Sequence, residues 1–416
     1  MSASVDKIVI GRSSSSKPGK LAYLGKRFAA GKLGPKVYID LARTHRIMVF
    51  GQTGNGKSYT LGVLAEEIAD QKAGDVLILD PMSIFWALNK ANEKGLIENH
   101  WGVTSKQYNS NLFALKGSMP QGFAGAGKEF ALHGHEFSPD EIQRILRIDP
   151  GTQMASAVQT GINELDKKTK NGLQDPNYSL ADIADQTFRS YRTVIHPSTR
   201  NALQARFLTA TSWDIFDTSF PSVEEIVLAQ GISVVLVGWL GFLGKNIPAE
   251  TLFGVLSDAV IRAKHRAIQA DYLERTTRRW AGQTVKPKPS WLVLDEAKKF
   301  IPPGSQSSRT REIIEDWVEQ GRNYGASIVI ATQSPELIDA KVIAQSDILI
   351  VHRLQTDENI RALAKGVRGL MVPAVRGVLE DLPIEPGFAV IFESSLEAPL
   401  MIKVRNRKSL HAGGEP

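Results

Sequence analysis

The chain has no cysteine in its 416 residues. That excludes disulfides, a cysteine zinc site and a thiol nucleophile, and it suits a reducing compartment, so a cytoplasmic location is expected. No stretch approaches the ~20 apolar residues of a membrane span, and no membrane partner is expected. Met1 to Ile10 carries charge and lacks the apolar core of a secretory signal. Neither sign of charge is in large excess. Lys+Arg 50 against Asp+Glu 44 leaves +6, which permits a polyanionic partner without requiring one. The composition, 42% hydrophobic and 23% charged, is that of an ordinary globular protein. The length suits one large domain or two to three smaller ones.

What is present centres on Phe50-Gly51-Gln52-Thr53-Gly54-Asn55-Gly56-Lys57-Ser58-Tyr59-Thr60. This is the G-x-x-x-x-G-K-S spacing of a phosphate-cradling loop. Its glycines let the backbone curl so that successive N–H groups point at phosphate oxygens. Lys57 supplies positive charge for β- and γ-phosphates, and the Ser58 hydroxyl is a magnesium ligand. The apolar run Arg46–Phe50 before the loop reads as a buried strand. Leu61, Val63, Leu64, Ile68 and Ala69 after it recur at helical spacing. The helix therefore aims its positive end at the same phosphates. Gly122-Phe123-Ala124-Gly125-Ala126-Gly127-Lys128-Glu129 nearly repeats the pattern, but Glu129 puts a carboxylate where the hydroxyl belongs, and no strand precedes it. It reads as a flexible loop.

Along the chain, residues 1 to 45 form a β-rich lead-in with strands at Val5–Ile10 and Val37–Leu41 and a loop through Ser13–Ser16 and Lys17-Pro18-Gly19. Its lysines and arginines read as a solvated surface or a nucleic-acid patch. Asp75–Asp80 is a second buried strand, which completes a βαβ unit of a parallel sheet. Asp80 reads as a strand-end cap or a residue near the ligand. From about residue 100 to 220 helices dominate: Ser138–Ile148, Gln153–Lys168, Ser179–Arg192 and Ser198–Phe216. His133-Gly134-His135-Glu136 reads as a polar turn rather than a metal site. Gly231–Trp239 is the next strand, and a long helix runs from Pro248 to Asp271, its cations reading as a surface feature.

Trp291-Leu292-Val293-Leu294-Asp295-Glu296 is a buried strand ending in two carboxylates. Asp295 is placed to serve magnesium and Glu296 to polarise an attacking water. Thr310–Gln320 reads as a helix and Gly321-Arg322-Asn323-Tyr324-Gly325 as the turn after it. The strand Ala326–Ala331 ends at Gln333, whose amide can sense the γ-phosphate or orient water. Asp347–Leu354, Gly387–Glu393 and Leu400–Val404 are further β segments. The fold class that follows is α/β with a mainly parallel sheet.

The order of these motifs, with Gly-Arg-Asn-Tyr-Gly and Ala-Thr-Gln-Ser, resembles the HerA/FtsK superfamily of DNA-pumping ATPases, and within it HerA. The resemblance covers residues 45–405. It implies a RecA-like core, a helical insertion, ATP and Mg2+ as cofactors, and a homo-hexameric ring. It also implies movement along double-stranded DNA, often beside a nuclease. Gly51 through Ser58 and Tyr59 then hold the nucleotide, Lys57 and Ser58 match the Walker A residues, and Asp295 and Glu296 match the Walker B pair. Gln333 matches the polar sensor and Arg322 the finger that reaches a neighbouring subunit. Arg46 is an additional basic residue near the phosphates. HerA proteins usually carry a longer N-terminal barrel. Val9-Ile10-Gly11-Arg12 resembles its opening, so residues 1–45 read as a shortened barrel. Residues 46–100 and 221–416 then form the ATPase core around an insertion at 101–220.

Geometry bears on Arg322. A strand advances about 3.3 Å per residue, so Ala326–Ala331 separates Arg322 from Gln333 by roughly 20 Å. If catalytic, Arg322 serves another subunit; otherwise it is an exposed arginine in a turn. Two functions stay open, a DNA translocase and an ATP-gated platform that assembles and activates a partner effector. The Gly122–Lys128 loop is a candidate for the DNA-lining pore.

Overall fold

In Arg46–Phe50, Asp75–Leu79, Ser290–Leu294 and Ala326–Thr332 nearly every side chain is buried. Strands covered on both faces need such continuous apolar runs, and parallel sheets flanked by helices are where they occur. The computed structural model describes residues 7–11, 19–93, 100–123, 125–191, 196–243, 247, 249–285, 288–299, 309–354, 356–367, 372–393 and 396–413. Its strands are β1 (Lys7–Ile10), β2 (Leu21–Ala29), β3 (Lys32–Asp40), β4 (Arg46–Phe50), β5 (Asp75–Leu79), β6 (Asn111–Leu115), β7 (Lys128–Phe130), β8 (Ile232–Val235), β9 (Ser290–Leu294), β10 (Ala326–Thr332), β11 (Ile348–Val351), β12 (Phe388–Glu393) and β13 (Leu400–Val404).

The chain divides into two units. One comprises Met1–Asn111, Ala229–Val235 and His265–Pro416, the other Leu112–Leu228 and Leu236–Lys264. In the first unit the strands lie in the order β1-β3-β2-β13-β12-β11-β4-β10-β9-β5-β8. From β11 to β8 every pairing is parallel. Strands β12, β13, β2 and β3 continue the sheet antiparallel. This is the RecA-like α/β fold. The helix Lys57–Asp70 follows β4 and carries ten buried residues, among them Leu61, Val63, Leu64 and Ile68.

The N-terminal strands are not a free-standing barrel. β2 pairs with β13, and β3 and β1 extend the same sheet edge. β2, absent from the sequence reading, bends through two register shifts, as a strand with bulges does. Val5, Arg12 and the Ser13–Pro18 loop fall outside the described residues. The expected strand Gly231–Trp239 is strand only over Ile232–Val235, after which the chain turns through Val237–Phe242. The long helix spans Ala249–Trp280, past the expected end at Asp271, and Leu236–Lys264 belongs to the second unit rather than the first. The helix Arg309–Tyr324 takes in Arg322, so that residue lies in the last helical turn and not in a loop after it.

The second unit contains the parallel pair β6–β7 and the helices Pro139–Ile145, Gln153–Lys170, Leu180–Ser190, Pro197–Thr211 and Val223–Val227. Ser138, Ser179 and Ser222 each cap a helix, with Glu141, Asp182 and Glu225 completing reciprocal boxes. Inside it Arg262 bonds Glu141 at 2.6 Å. Neither strand was expected: β7 is only three residues long, and β6 precedes a stretch dominated by helix signals.

Candidate nucleotide site

The phosphate loop is shaped by its glycines. Gly51 has φ +157 and Gly56 has φ +106, values that a side chain disfavours. A carbon added at Gly51 would lie 2.6 Å from His352 Cβ. Gly56 immediately precedes the helix, and the Thr60 N–H donates to its carbonyl at 2.9 Å. The loop is also pinned from outside: Gln52 N–H donates to Arg353 O at 3.1 Å, and Gly387 N–H to Asn55 O at 3.3 Å. Lys57 is 4% exposed and its Nζ donates to Gln52 O at 3.1 Å. Burial lowers its pKa, against the pull of Glu296 and Asp295.

The parallel strands deliver their polar residues to this same edge, where ligands of such sheets gather. Asp295 and Glu296 follow β9, and Gln333 follows β10. Lys57 Nζ lies 3.7 Å from Glu296 Oε1. Gln333 Nε2 donates to Glu296 Oε2 at 3.0 Å, and Thr53 Oγ1 donates to Gln333 Oε1 at 2.9 Å. Lys57, Glu296, Gln333 and Thr53 thus form one connected group. Glu296 holds a left-handed backbone, φ +51, a conformation that costs ~1–3 kcal/mol in a non-glycine residue and concentrates at functional sites. Its N–H donates to Asp295 Oδ1 at 2.9 Å. Asp295 is fully buried, and among the described residues its Oδ2 has no hydrogen-bond partner. Burial pushes its carboxyl up to about 6, while the Ser58 hydroxyl pulls it back. These features fit a nucleotide and a divalent cation: a glycine-shaped loop with the buried Lys57 beside it, and a buried carboxylate near Ser58.

The helix behind the loop is clamped by the segment after β13. Arg405 bonds Glu66 at 2.9 Å and Glu67 at 2.8 Å, and Arg407 lies 3.4 Å from Glu66. All four side chains are nearly or wholly buried. Arg407 N–H also donates to Tyr59 OH at 2.7 Å, which orients the residue after Ser58. Removing one partner of such a buried pair leaves an uncompensated charge and costs ~3–5 kcal/mol.

Other residues fall elsewhere. Arg46 is not at the phosphates of its own loop. It begins β4, so roughly 16 Å of strand separates it from Gly51. Its guanidinium bonds Asp347 at 2.8 Å and Val318 O at 2.8 Å. Arg322 pairs with the same Asp347, so both arginines stand at the N-terminal end of the parallel strands. Burial opposes ionisation of Asp347, but its bonds to Arg46 hold it below its usual range. A cavity of about 500 Å³ lined by Arg46, Arg322, Asp347 and Phe392 opens there. Asp80 caps the turn after β5, accepting from Phe85 N–H at 2.7 Å and Met82 N–H at 3.2 Å. Lys128 begins a strand rather than a helix, and Glu129 accepts from Gly117 N–H at 3.0 Å. In the His133–Glu136 turn, Glu136 accepts from Glu224 N–H at 2.9 Å, and among the described residues no cluster suits a metal. The sequence reading missed His352, the residue packed under the loop. Its only signal was its place just past a buried strand.

The fold and the site define a P-loop ATPase. A family model described as "Helicase HerA, central domain" matches residues 23–235, and the chain belongs to that family. A second model, "Zonular occludens toxin (Zot)", matches residues 241–357. A Methanocaldococcus jannaschii protein named as a probable DNA double-strand break repair helicase HerA is 23% identical over 91% of this chain and 75% of its own length. The Sulfolobus acidocaldarius HerA helicase is 18% identical over 90% of this chain and 67% of its own. Among solved structures, VirB4 of Thermoanaerobacter pseudethanolicus superposes with TM-score 0.57 at 13% identity, over 94% of this chain and 97% of that one. The plasmid coupling protein TrwB in complex with ADP and Mg2+ gives 0.52 at 14%, over 96% and 98%. At these identities the two structures speak for the fold alone. No helix among the described residues is long and apolar enough to cross a membrane.

Proposed function

We propose that this chain is an ATP-driven motor that moves double-stranded DNA as a homo-hexameric ring, with a nuclease or another effector as its working partner. The observation that carries the reading is the connected group Lys57–Glu296–Gln333–Thr53, which ties the phosphate loop to a general base through one amide. The cradle takes ATP, with Gly51 through Tyr59 around the phosphates and Lys57 on the β/γ oxygens. Ser58 and Asp295 are the residues that hold Mg2+, which when bound neutralises charge on the β- and γ-phosphates. Glu296 takes the proton of the attacking water while Gln333 orients it. The water oxygen bonds to the γ-phosphorus, the bond to the β–γ bridging oxygen breaks, and ADP and phosphate leave.

Arg322 stands across the sheet from this site, and Arg46 beside it. The exposed Arg322 suits the γ-phosphate held by a neighbouring subunit, while Arg46 is held by Asp347 and Val318 O. This supports a head-to-tail ring, in which one face of each subunit completes the site of the next. The DNA role draws on the names of the relatives. ATP turnover with and without duplex DNA, together with the mass of the assembly, tests the reading. DNA-stimulated turnover by an oligomer supports it. Slow, DNA-indifferent turnover with ATP-dependent assembly points to the alternative, a nucleotide-gated platform that activates its effector without translocating.

A further inference from the structure

Pairing between β11 and β4 continues past the last residues of both strands. His352 N–H donates to Phe50 O at 2.8 Å, and Gln52 N–H to Arg353 O at 3.1 Å. His352 is thereby fixed beside Gly51, and it is fully buried. Its side chain occupies the space that Gly51 leaves open, and its ring reaches contact distance of Gly56. A carbon on Gly51 would lie 2.6 Å from its Cβ, and one on Gly56 would lie 3.4 Å from its Cε1.

Both ring nitrogens are used. Nδ1 lies 2.8 Å from Phe388 O and Nε2 lies 2.9 Å from Thr60 Oγ1. A carbonyl oxygen only accepts, so Nδ1 carries the proton and Nε2 accepts from the threonine hydroxyl. Burial and the nearby Lys57 lower the pKa of the ring to about 4, which keeps it neutral. One imidazole thus joins the phosphate loop, the first turn of the helix behind it and the start of β12. An apolar side chain of similar size would fill the space but leave the Thr60 hydroxyl and the Phe388 carbonyl without their partner.

We propose that His352 is a positioning residue for nucleotide binding: as the floor of the cradle it holds Gly51, Gly56 and Thr60 in the arrangement that meets phosphates, and so sets ATP affinity rather than the rate of hydrolysis. This rests on reading the cradle as an ATP site. Preorganised amides spare the bound state the cost of ordering the loop. Glu296 and Gln333 follow other strands and bond to each other, while the ring bonds to Phe388 and Thr60, so the hydrolytic step keeps its geometry.

Titration of the full chain with a fluorescent ATP analogue, beside steady-state turnover and thermal unfolding, tests this. Thr60→Val removes one hydroxyl at nearly constant volume. It should raise Kd and KM about tenfold, the scale of one buried hydrogen bond, with kcat within about twofold. His352→Leu should weaken binding further. His352→Gln, which keeps an acceptor within reach of Thr60, should recover part of the loss. Should His352→Leu fail to fold, Thr60→Val decides. The inference is overturned if Thr60→Val binds as wild type does, or if it lowers kcat and leaves KM alone. Wild-type binding that Lys57→Ala weakens shows that the ATP reading stands whichever way Thr60→Val falls. A wild-type chain that binds no nucleotide overturns both.

Discussion

Gln333 donates its amide N–H to Glu296 at 3.0 Å, so the polar residues that follow the paired strands β10 and β9 are in direct contact. The same amide accepts from Thr53 of the phosphate loop. In the proposed mechanism an incoming γ-phosphate competes for Thr53, for Gln333 and for the Lys57 ammonium beside Glu296. Its arrival therefore alters the restraints on the base, which links phosphate binding to readiness for chemistry.

Glu296→Gln should keep nucleotide affinity within a few-fold and lower kcat by about 10²–10⁴, the usual share of a general base. Gln333→Ala should lose about 10²-fold, the scale of one positioned polar group. Phosphate-release kinetics beside calorimetric binding separate these effects. Wild-type turnover in either variant would remove the assigned role.

Lys57→Ala should abolish hydrolysis and weaken nucleotide binding, because the β/γ charge loses its counterion. The side chain is buried, so its loss also leaves Glu296 without its cation. Retained turnover would reject the site.

Arg322→Ala should assemble and bind ATP yet lose about 10³–10⁵ in rate, the range for an arginine supplied by a neighbour. Mixed with Lys57→Ala subunits, it should regain activity wherever an intact Arg322 faces an intact loop. Arg46→Ala should behave in the same direction, since Arg46 shares Asp347 with Arg322. Full activity of Arg322→Ala alone, or no recovery on mixing, would count against action in trans.

Acid should destabilise the fold through two rings. Burial, with Lys57 beside His352 and Arg407 beside His411, lowers both pKa values from 6.5 to about 4. Between those values the unfolded chain binds more protons than the folded one, so stability is full above about pH 6.5 and falls toward pH 4, by up to ~3 kcal/mol per ring. His352→Gln should flatten the pH dependence of the urea midpoint over this window. An unchanged slope would show that His352 does not titrate there.

DNA binding should be independent of sequence and weaken steeply with salt, since no base-reading motif is visible and phosphate contacts should dominate. Titrations of unrelated duplexes at two salt concentrations check it. Salt-insensitive affinity would contradict it.

The phosphate loop, the carboxylate pair after β9 and Gln333 after β10 were legible in the sequence because each depends on local order. A buried apolar run makes a strand, and the residue just beyond it falls at the sheet's edge. Where burial was incomplete the reading failed. β2 is half-exposed with a mixed pattern, and β7 has three residues of which one is buried. Arg322 was placed in a turn because its glycine neighbours mark turns, yet the helix continues through Gly321 to Tyr324.

By itself the sequence determined the chemistry each motif offers, because residue type and spacing along one strand–loop–helix unit suffice for it. Tertiary structure alone decided the partners. Gly51 meets His352, Thr53 meets Gln333, and Arg46 joins Arg322 through Asp347, each across a long stretch of chain. Those meetings follow from the order and register of parallel strands, which are set by packing among distant segments and leave no mark on neighbouring residues.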